Sequence, residues 1–228
     1  MAKKQIAETQ AEQGTQERIR LAALREFSEQ GLSGARVERI ARAANVNIRM
    51  IYYFFGSKKG LLEDVLRGIF NQRRAQLVSR YDTVADLLES YFDGYAEDSQ
   101  RVRLLQWEAL QTPLPQGAAR LTNFDDRRVV IDERIASIRD LQKRGIIPAG
   151  LDPQLLYLMF VALSIYPMTF PQSVFIATGE HAAGKDFKKK YRDALRHLAE
   201  VLFPAEPSGQ ARTAAVTARR KPGRAGKN

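Results

Sequence analysis

Val37-Glu-Arg-Ile-Ala-Arg-Ala-Ala-Asn-Val46, followed at once by Asn47-Ile-Arg-Met-Ile-Tyr-Tyr-Phe-Phe-Gly-Ser-Lys58, decides the fold. Val37, Ile40, Ala41 and Ala44 recur at i, i+3, i+4 and i+7, so the first segment is a short helix with one apolar face. Asn45 follows it, and asparagine tolerates the left-handed conformation of a tight turn. Asn47 then stands where an N-cap is needed, and a third short helix runs to about Phe54. Gly56-Ser57 breaks that helix, and Ser57 caps the next one. Two short helices joined by a turn of about four residues describe a helix-turn-helix.

Working outward, the N-terminal neighbour is also helical. Ile19, Ala22, Ala23 and Phe27 form a buried stripe, and Gly31 ends the helix. Residues 1–15 are polar and read as a disordered arm. On the other side a long fourth helix runs from Lys58 to about Arg80. Further helices are expected near 83–97, 100–111, 118–144, 153–166 and 186–203. Pro113 and Pro115 punctuate one junction, and Gly145, Pro148 and Gly150 another. Ile131, Ile135, Ile138 and Leu141 give the helix at 118–144 its stripe. Val174 to Thr178 is the one β-like patch. The expected fold is all-α: a three-helix head over 16–65, joined by the long fourth helix to a helical bundle over 66–204. Residues 205–228 turn to Pro, Ser, Gly, Ala, Arg and Lys and read as a disordered basic tail.

Charge follows the same division. The chain has 228 residues and a formal net charge of +10. Residues 17–59 carry nine basic and four acidic side chains, residues 60–204 carry 19 of each, and residues 205–228 carry six basic and one acidic. A basic head and a basic tail on a neutral body suggest a polyanion as partner. The absence of Cys excludes a disulfide scaffold, a cysteine nucleophile and cysteine-based metal sites. Only His181 and His197 are available as imidazole ligands. No cofactor or metal is expected. Residues 1–18 contain no apolar run, so no secretory signal is expected and the chain reads as cytoplasmic.

A helical wheel at 100° per residue orients the third helix. Ile51 and Phe55 define its inner face, which sets Arg49 and Tyr53 nearly opposite, with Met50 and Tyr52 on the flanks. Ile48 leans toward the core at the N-terminal tip. Arg49 is the candidate for reading a base edge, because guanidinium bonds guanine O6 and N7 together. Tyr52 and Tyr53 can reach phosphates or thymine methyls. Arg36 and Lys58, each at a helix start, can meet phosphates, helped by the helix dipole. A solvated face is the alternative for Arg49 and Tyr53, and core packing the alternative for Tyr52.

The stretch from Val37 to Val46, with Ile51-Tyr-Tyr-Phe-Phe-Gly-Ser-Lys58 and Leu61-Leu62, resembles the DNA-binding domain of the TetR family. The likeness covers about 17–65 and departs from the family pattern at Asn45, where glycine is usual. It implies an all-α, homodimeric, ligand-responsive transcription regulator, commonly a repressor released from a near-palindromic operator by a small molecule. It also implies operator contacts at Asn47, Ile48, Arg49, Met50, Tyr52 and Tyr53 and a phosphate contact at Lys58. Gly145-Ile-Ile-Pro148, Leu151-Asp-Pro-Gln154, Phe170-Pro-Gln172 and Thr178-Gly179 extend a fainter resemblance to the pyrimidine-utilisation regulator subgroup.

By the same resemblance the last two long helices pack against those of a second copy. Leu155, Leu156, Met159, Phe160 and Leu163 would supply one helix of that interface, and Leu195, Leu198, Val201 and Leu202 the other. Intrachain core is the alternative. A pocket for an unknown small molecule is expected between body helices. Phe92, Tyr95, Trp107, Phe124 and Tyr166 are candidate lining residues, with Glu108 and Gln111 as polar anchors.

Two competing signals are weaker. No charge occurs between Pro153 and Gly179, but Pro167 and Pro171 interrupt the run. Its clean apolar part is about half the roughly 20 residues a membrane span needs. Gly179-Glu-His-Ala-Ala-Gly184-Lys185-Asp186 matches a phosphate-binding loop except at Asp186, where Ser or Thr must hold Mg²⁺. An enzyme is therefore not expected. The basic tail, through Arg219, Arg220, Lys221, Arg224 and Lys227, leaves a nonspecific or architectural nucleic-acid-binding protein as the alternative function.

Overall fold

The structure, a computed structural model, describes residues 2–75, 80–111 and 123–204. Ten helices appear among them: α1 (Ala2–Gly34), α2 (Val37–Ala44), α3 (Ile48–Phe55), α4 (Lys58–Ala75), α5 (Val84–Ala96), α6 (Ser99–Gln111), α7 (Phe124–Lys143), α8 (Pro153–Thr169), α9 (Pro171–Thr178) and α10 (Lys185–Leu202). No strand occurs among the described residues. The fold is all-α, as the periodicities require.

Two expectations change. Residues 2–15, read as an arm, are helical and continue into α1. Their polar composition hid a helix because it carries no apolar stripe of its own. The β-like run Val174–Thr178 is the second half of α9. Pro171 at the first turn starts that helix at no cost in hydrogen bonds, and β-branched residues lower helix propensity only slightly. The 205–228 tail lies outside the described residues.

The head is built on Ile19, Ala23, Phe27, Ile40, Ile51 and Leu61, all fully buried. Polar ties fix its helices. Arg20 donates to Asp64 at 2.6 Å, joining α1 to α4, and Arg18 Nε donates to the Ala44 carbonyl at the end of α2. Glu26 accepts both the Arg36 backbone N–H and the Arg39 side chain, which anchors the start of α2 to α1.

Helix α6 crosses between head and body. Leu104 completes the head core, while Val102, two residues earlier, belongs to a body cluster with Phe92, Tyr95 and Phe187. Trp107 Nε1 donates to the Ser28 carbonyl of α1 at 3.2 Å. Gly31 makes this close approach possible. Its φ of 65° and ψ of 178° break the helix there, a conformation that is essentially glycine-only. A Cβ at Gly31 would lie 2.9 Å from two Trp107 ring carbons. Gly31→Ala should therefore destabilise the protein by at least about 1–3 kcal/mol from backbone strain alone. Urea unfolding would register this as a lowered midpoint, and an unchanged midpoint would contradict the reading.

The body places α5 centrally, against α8 and α10. Tyr91, Leu87, Leu88, Ile138, Leu141 and Ile147 form one cluster. Helices α8 and α9 meet at Phe170 with an 81° bend. Among the described residues no single helix is long and apolar enough to cross a membrane, and this bent pair reaches that length only together.

Candidate nucleic-acid interface

Asn45 adopts the left-handed conformation, φ 53° and ψ 52°, and so closes α2 as its type predicts. Asn47 caps α3, its Oδ1 accepting from Arg49 N at 2.9 Å. Ser57 Oγ accepts from Gly60 N at 2.9 Å, capping α4. The three polar residues therefore fix the end of α2 and the starts of α3 and α4.

Between these caps, Ile51 is fully buried and Phe54 and Phe55 pack on the head core. That anchors one face and drives the other outward. Arg49 is exposed, Tyr52 half-exposed, and Tyr53 is 73% exposed. Met50 and Ile48 are intermediate, Ile48 leaning on the core at the tip. The core alternative for Tyr52 is not what its exposure shows. Among the described residues, Arg36, Arg42 and Arg49 enter no ion pair, so their charges face outward uncompensated. Arg42 was not singled out by the sequence, although its exposed position beside the turn follows from the α2 stripe.

Lys58 Nζ donates to the carbonyls of Ala35, at 2.7 Å, and Ser33, at 3.5 Å. The ammonium thus sits beside Arg36 at the entrance to α2, and it ties α4 to the α1–α2 connection. An ammonium has three donors, so one remains for a phosphate. Gly60 was missed. A Cβ there would lie 2.3 Å from the Phe55 carbonyl oxygen, so only glycine lets α4 start this close to the end of α3.

The seven candidate pocket residues are not gathered into one place. Trp107 and Gln111 pack against Gly31 at the head–body junction. Glu108 forms a bidentate pair with Arg127 at 2.6 and 2.7 Å. Phe124 is half-buried at the start of α7, and Tyr166 is exposed beside Phe170. Phe92 and Tyr95 alone lie in the body core. A cavity of 710 Å³ opens between α1, α4 and α6, and none of the seven lines it.

The body core instead holds a group that sequence reasoning missed. Arg134 of α7 is buried with its guanidinium 4.4 Å from the Tyr91 ring centre. Burial opposes its charge, but the Tyr95, Tyr91 and Tyr157 phenols more than offset this and hold the arginine firmly protonated. Burial pushes the Tyr91 phenol well up, against the pull of Arg134, so Tyr91 keeps its proton at neutral pH. The signal was present: Val130, Arg134, Ile138 and Leu141 make an i, i+4, i+8, i+11 stripe, with a charge inside it.

The expected interface helices also divide. Leu156, Phe160 and Leu195 are buried in the protomer's own core, and Leu163 is partly buried against it. Leu155, Met159, Leu198 and Leu202 face outward. Val201 faces outward with them, and Leu158, Phe175 and Ile176, not picked from sequence, share their exposure. On α8 the outward set is Leu155, Leu158, Met159, Ala162 and Tyr166. A continuous apolar helix hides which side is which, because its periodicity is flat.

A short recognition helix, capped at its N-terminus, anchored by Ile51 and presenting Arg49 and Tyr53 outward, defines a helix-turn-helix DNA-binding regulator. Comparison with known proteins gives the family. Residues 19–65 match bacterial regulatory proteins of the tetR family, and residues 84–200 match the tetracyclin repressor-like C-terminal domain. The HTH-type transcriptional repressor SCO4008 of Streptomyces coelicolor is 31% identical over 191 residues, covering 83% of this chain and 95% of that protein. The HTH-type transcriptional regulator RutR of Escherichia coli is 34% identical over 164 residues, 69% of this chain and 76% of RutR. The solved structure of SCO4942 from Streptomyces coelicolor matches with a TM-score of 0.67 and 25% identity over 83% of this chain and 98% of that one. AibR, solved in complex with isovaleryl coenzyme A and operator DNA, shares the fold at a TM-score of 0.62 and 16% identity, over 83% and 98% of the two chains. The chain belongs to the TetR family and is a DNA-binding transcription regulator.

Proposed function

We propose that the protein is a cytoplasmic homodimeric repressor, not an enzyme, which binds a near-palindromic operator and is released by a small molecule held in its body. Residues 16–65 form the DNA-binding domain, and residues 66–204 the ligand-binding and dimerisation domain. The observation that carries this reading is the outward face of α3, with an unpaired Arg49 and an exposed Tyr53.

In this reading Arg49 reads a guanine edge. Tyr52, Tyr53, Met50, Ile48 and Asn47 make the surrounding contacts, and Arg36 and Lys58 hold the backbone. Two copies, joined through the exposed faces of α8 and α10 with the α9 elbow beside them, set the two α3 helices at a fixed spacing. Release requires an effector that binds better to a different spacing of the heads. Helix α6 is placed to transmit such a change, because Leu104 and Trp107 sit in the head while Gln106 donates to the Thr169 carbonyl of α8.

Arg49→Ala tests the role of α3. A bidentate guanine contact contributes roughly 1–3 kcal/mol of discrimination. Two half-sites double it, so operator preference over random DNA should fall at least about tenfold while the protein stays folded and dimeric. Competition gel shifts measure the ratio. An unchanged ratio would remove Arg49 from the reading role.

A further inference from the structure

Arg134 is 7% exposed and Tyr91 is 1% exposed. A cation taken out of water is costly unless an opposite charge faces it. The other arginines of α7 and its C-cap meet that requirement where they are buried: Arg127 pairs with Glu108 and Arg144 with Asp140. Arg134 enters no ion pair found among the described residues. Buried nitrogens lacking a hydrogen bond occur on Arg101, Arg127, Arg134 and Arg144, and Arg134 alone of these four has no carboxylate beside it. The Tyr91 hydroxyl is also buried without a hydrogen-bond partner.

Tyr95 takes a side-chain hydrogen bond from the Arg134 guanidinium, but Arg134 Nε and the Tyr91 hydroxyl, side by side in the interior, are both left without an acceptor. Stacking on Tyr91 occupies the face of the guanidinium, and the unpartnered Nε lies on its in-plane N–H edge, the kind of edge that matches a carboxylate. Tyr91 belongs to one apolar cluster and Tyr95 to the other, so Arg134 stands where the two body cores meet. By contrast, the charges around the 710 Å³ cavity between head and body are already paired, Arg20 with Asp64 and Arg101 with Asp98.

We propose that Arg134 and Tyr91, with Tyr95 beside them, form an anion-binding subsite in the body that takes the carboxylate of a small organic acid. One arginine supplies one positive charge, which favours a monocarboxylate over a doubly charged phosphate. The apolar side chains of the two clusters suit a hydrocarbon or aromatic remainder. This rests on the ligand-responsive reading above and names the chemical class of its effector.

The test uses the full chain with sodium benzoate and benzamide as probes, titrated by calorimetry. Benzoate should bind saturably and benzamide at least tenfold more weakly. Arg134→Gln should weaken benzoate at least tenfold and leave benzamide unchanged. Tyr91→Phe, which removes one hydroxyl and keeps the ring, should weaken benzoate without unfolding the protein and serves if Arg134→Gln does not fold. Arg134→Gln should keep its helical spectrum and stay dimeric, so that lost benzoate binding is read from a folded chain. Equal binding of the two probes, no saturable benzoate binding, or benzoate binding retained in a folded Arg134→Gln would overturn the proposal. Operator release is scored separately. Benzoate bound at Arg134 without any change in operator affinity supports the subsite and counts against the ligand-responsive reading. A compound that releases operator equally from Arg134→Gln and the natural chain supports that reading and overturns the subsite.

Discussion

Leu158→Glu is expected to turn the dimer into monomers and lower operator affinity about 10²–10⁴-fold, the range lost when two linked contacts become one. Leu158 is 59% exposed in the single chain, and its neighbours on the same face are Leu155, Met159 and Tyr166. The helix carries no charge from Pro153 to Thr169, which no solvent-facing helix surface needs. Burying one such leucine contributes about 1.5–3 kcal/mol. A two-fold interface places each substitution twice, so two carboxylates would be driven into an apolar contact without partners. Sedimentation should show a monomer with an unchanged helical spectrum. Leu156→Ala, two residues and one face away, should instead weaken folding by about 2–5 kcal/mol through a core cavity and leave the folded fraction dimeric. A dimeric Leu158→Glu would place the interface elsewhere.

Gly60→Ala should have the next largest effect, and it should act only on the head. The added Cβ would stand 2.3 Å from the Phe55 carbonyl oxygen. That atom is main chain, so relief requires α3 to move against α4. Overpacking costs typically about 1–3 kcal/mol, and a backbone obstacle belongs at the upper end. The same shift would displace the Ser57 cap, which bonds Gly60 N. Operator binding should be lost while the body remains dimeric, giving a lower-temperature transition for the head alone. Normal operator affinity in Gly60→Ala would mean that the junction is looser than its geometry.

The head was legible because its signals are local. Stripes at 37–44, an asparagine turn at Asn45, caps at Asn47 and Ser57 and a glycine stop each concern neighbours within one turn, and all four appear in the structure. The outward placement of Arg49 and Tyr53 followed from Ile51 and Phe55 by angle alone. Gly60 was not legible, since its constraint comes from a carbonyl across a helix junction. The body was harder. In α8 nearly every side chain is apolar, so the pattern could not separate Leu156 and Phe160 from Leu155 and Leu158. Aromatic type suggested Trp107 and Tyr166 for a pocket, yet their neighbours, Ser28 and Gly31 for one and Phe170 for the other, are set by tertiary packing. Arg134 was legible in principle as a charge within a buried stripe. It was passed over because the four apolar positions around it were sufficient to define the helix.

The most direct test of sequence-specific regulation is selection of bound duplexes from a random-sequence pool by the purified protein, followed by competition against bulk DNA. The reading of α3 predicts one near-palindromic site with half-sites related by whole helical turns, about 34–36 Å each. It should be bound at least about 10³-fold more tightly than random duplex. No enriched sequence, with equal affinity for every duplex, would contradict it and leave a nonspecific nucleic-acid-binding protein in its place.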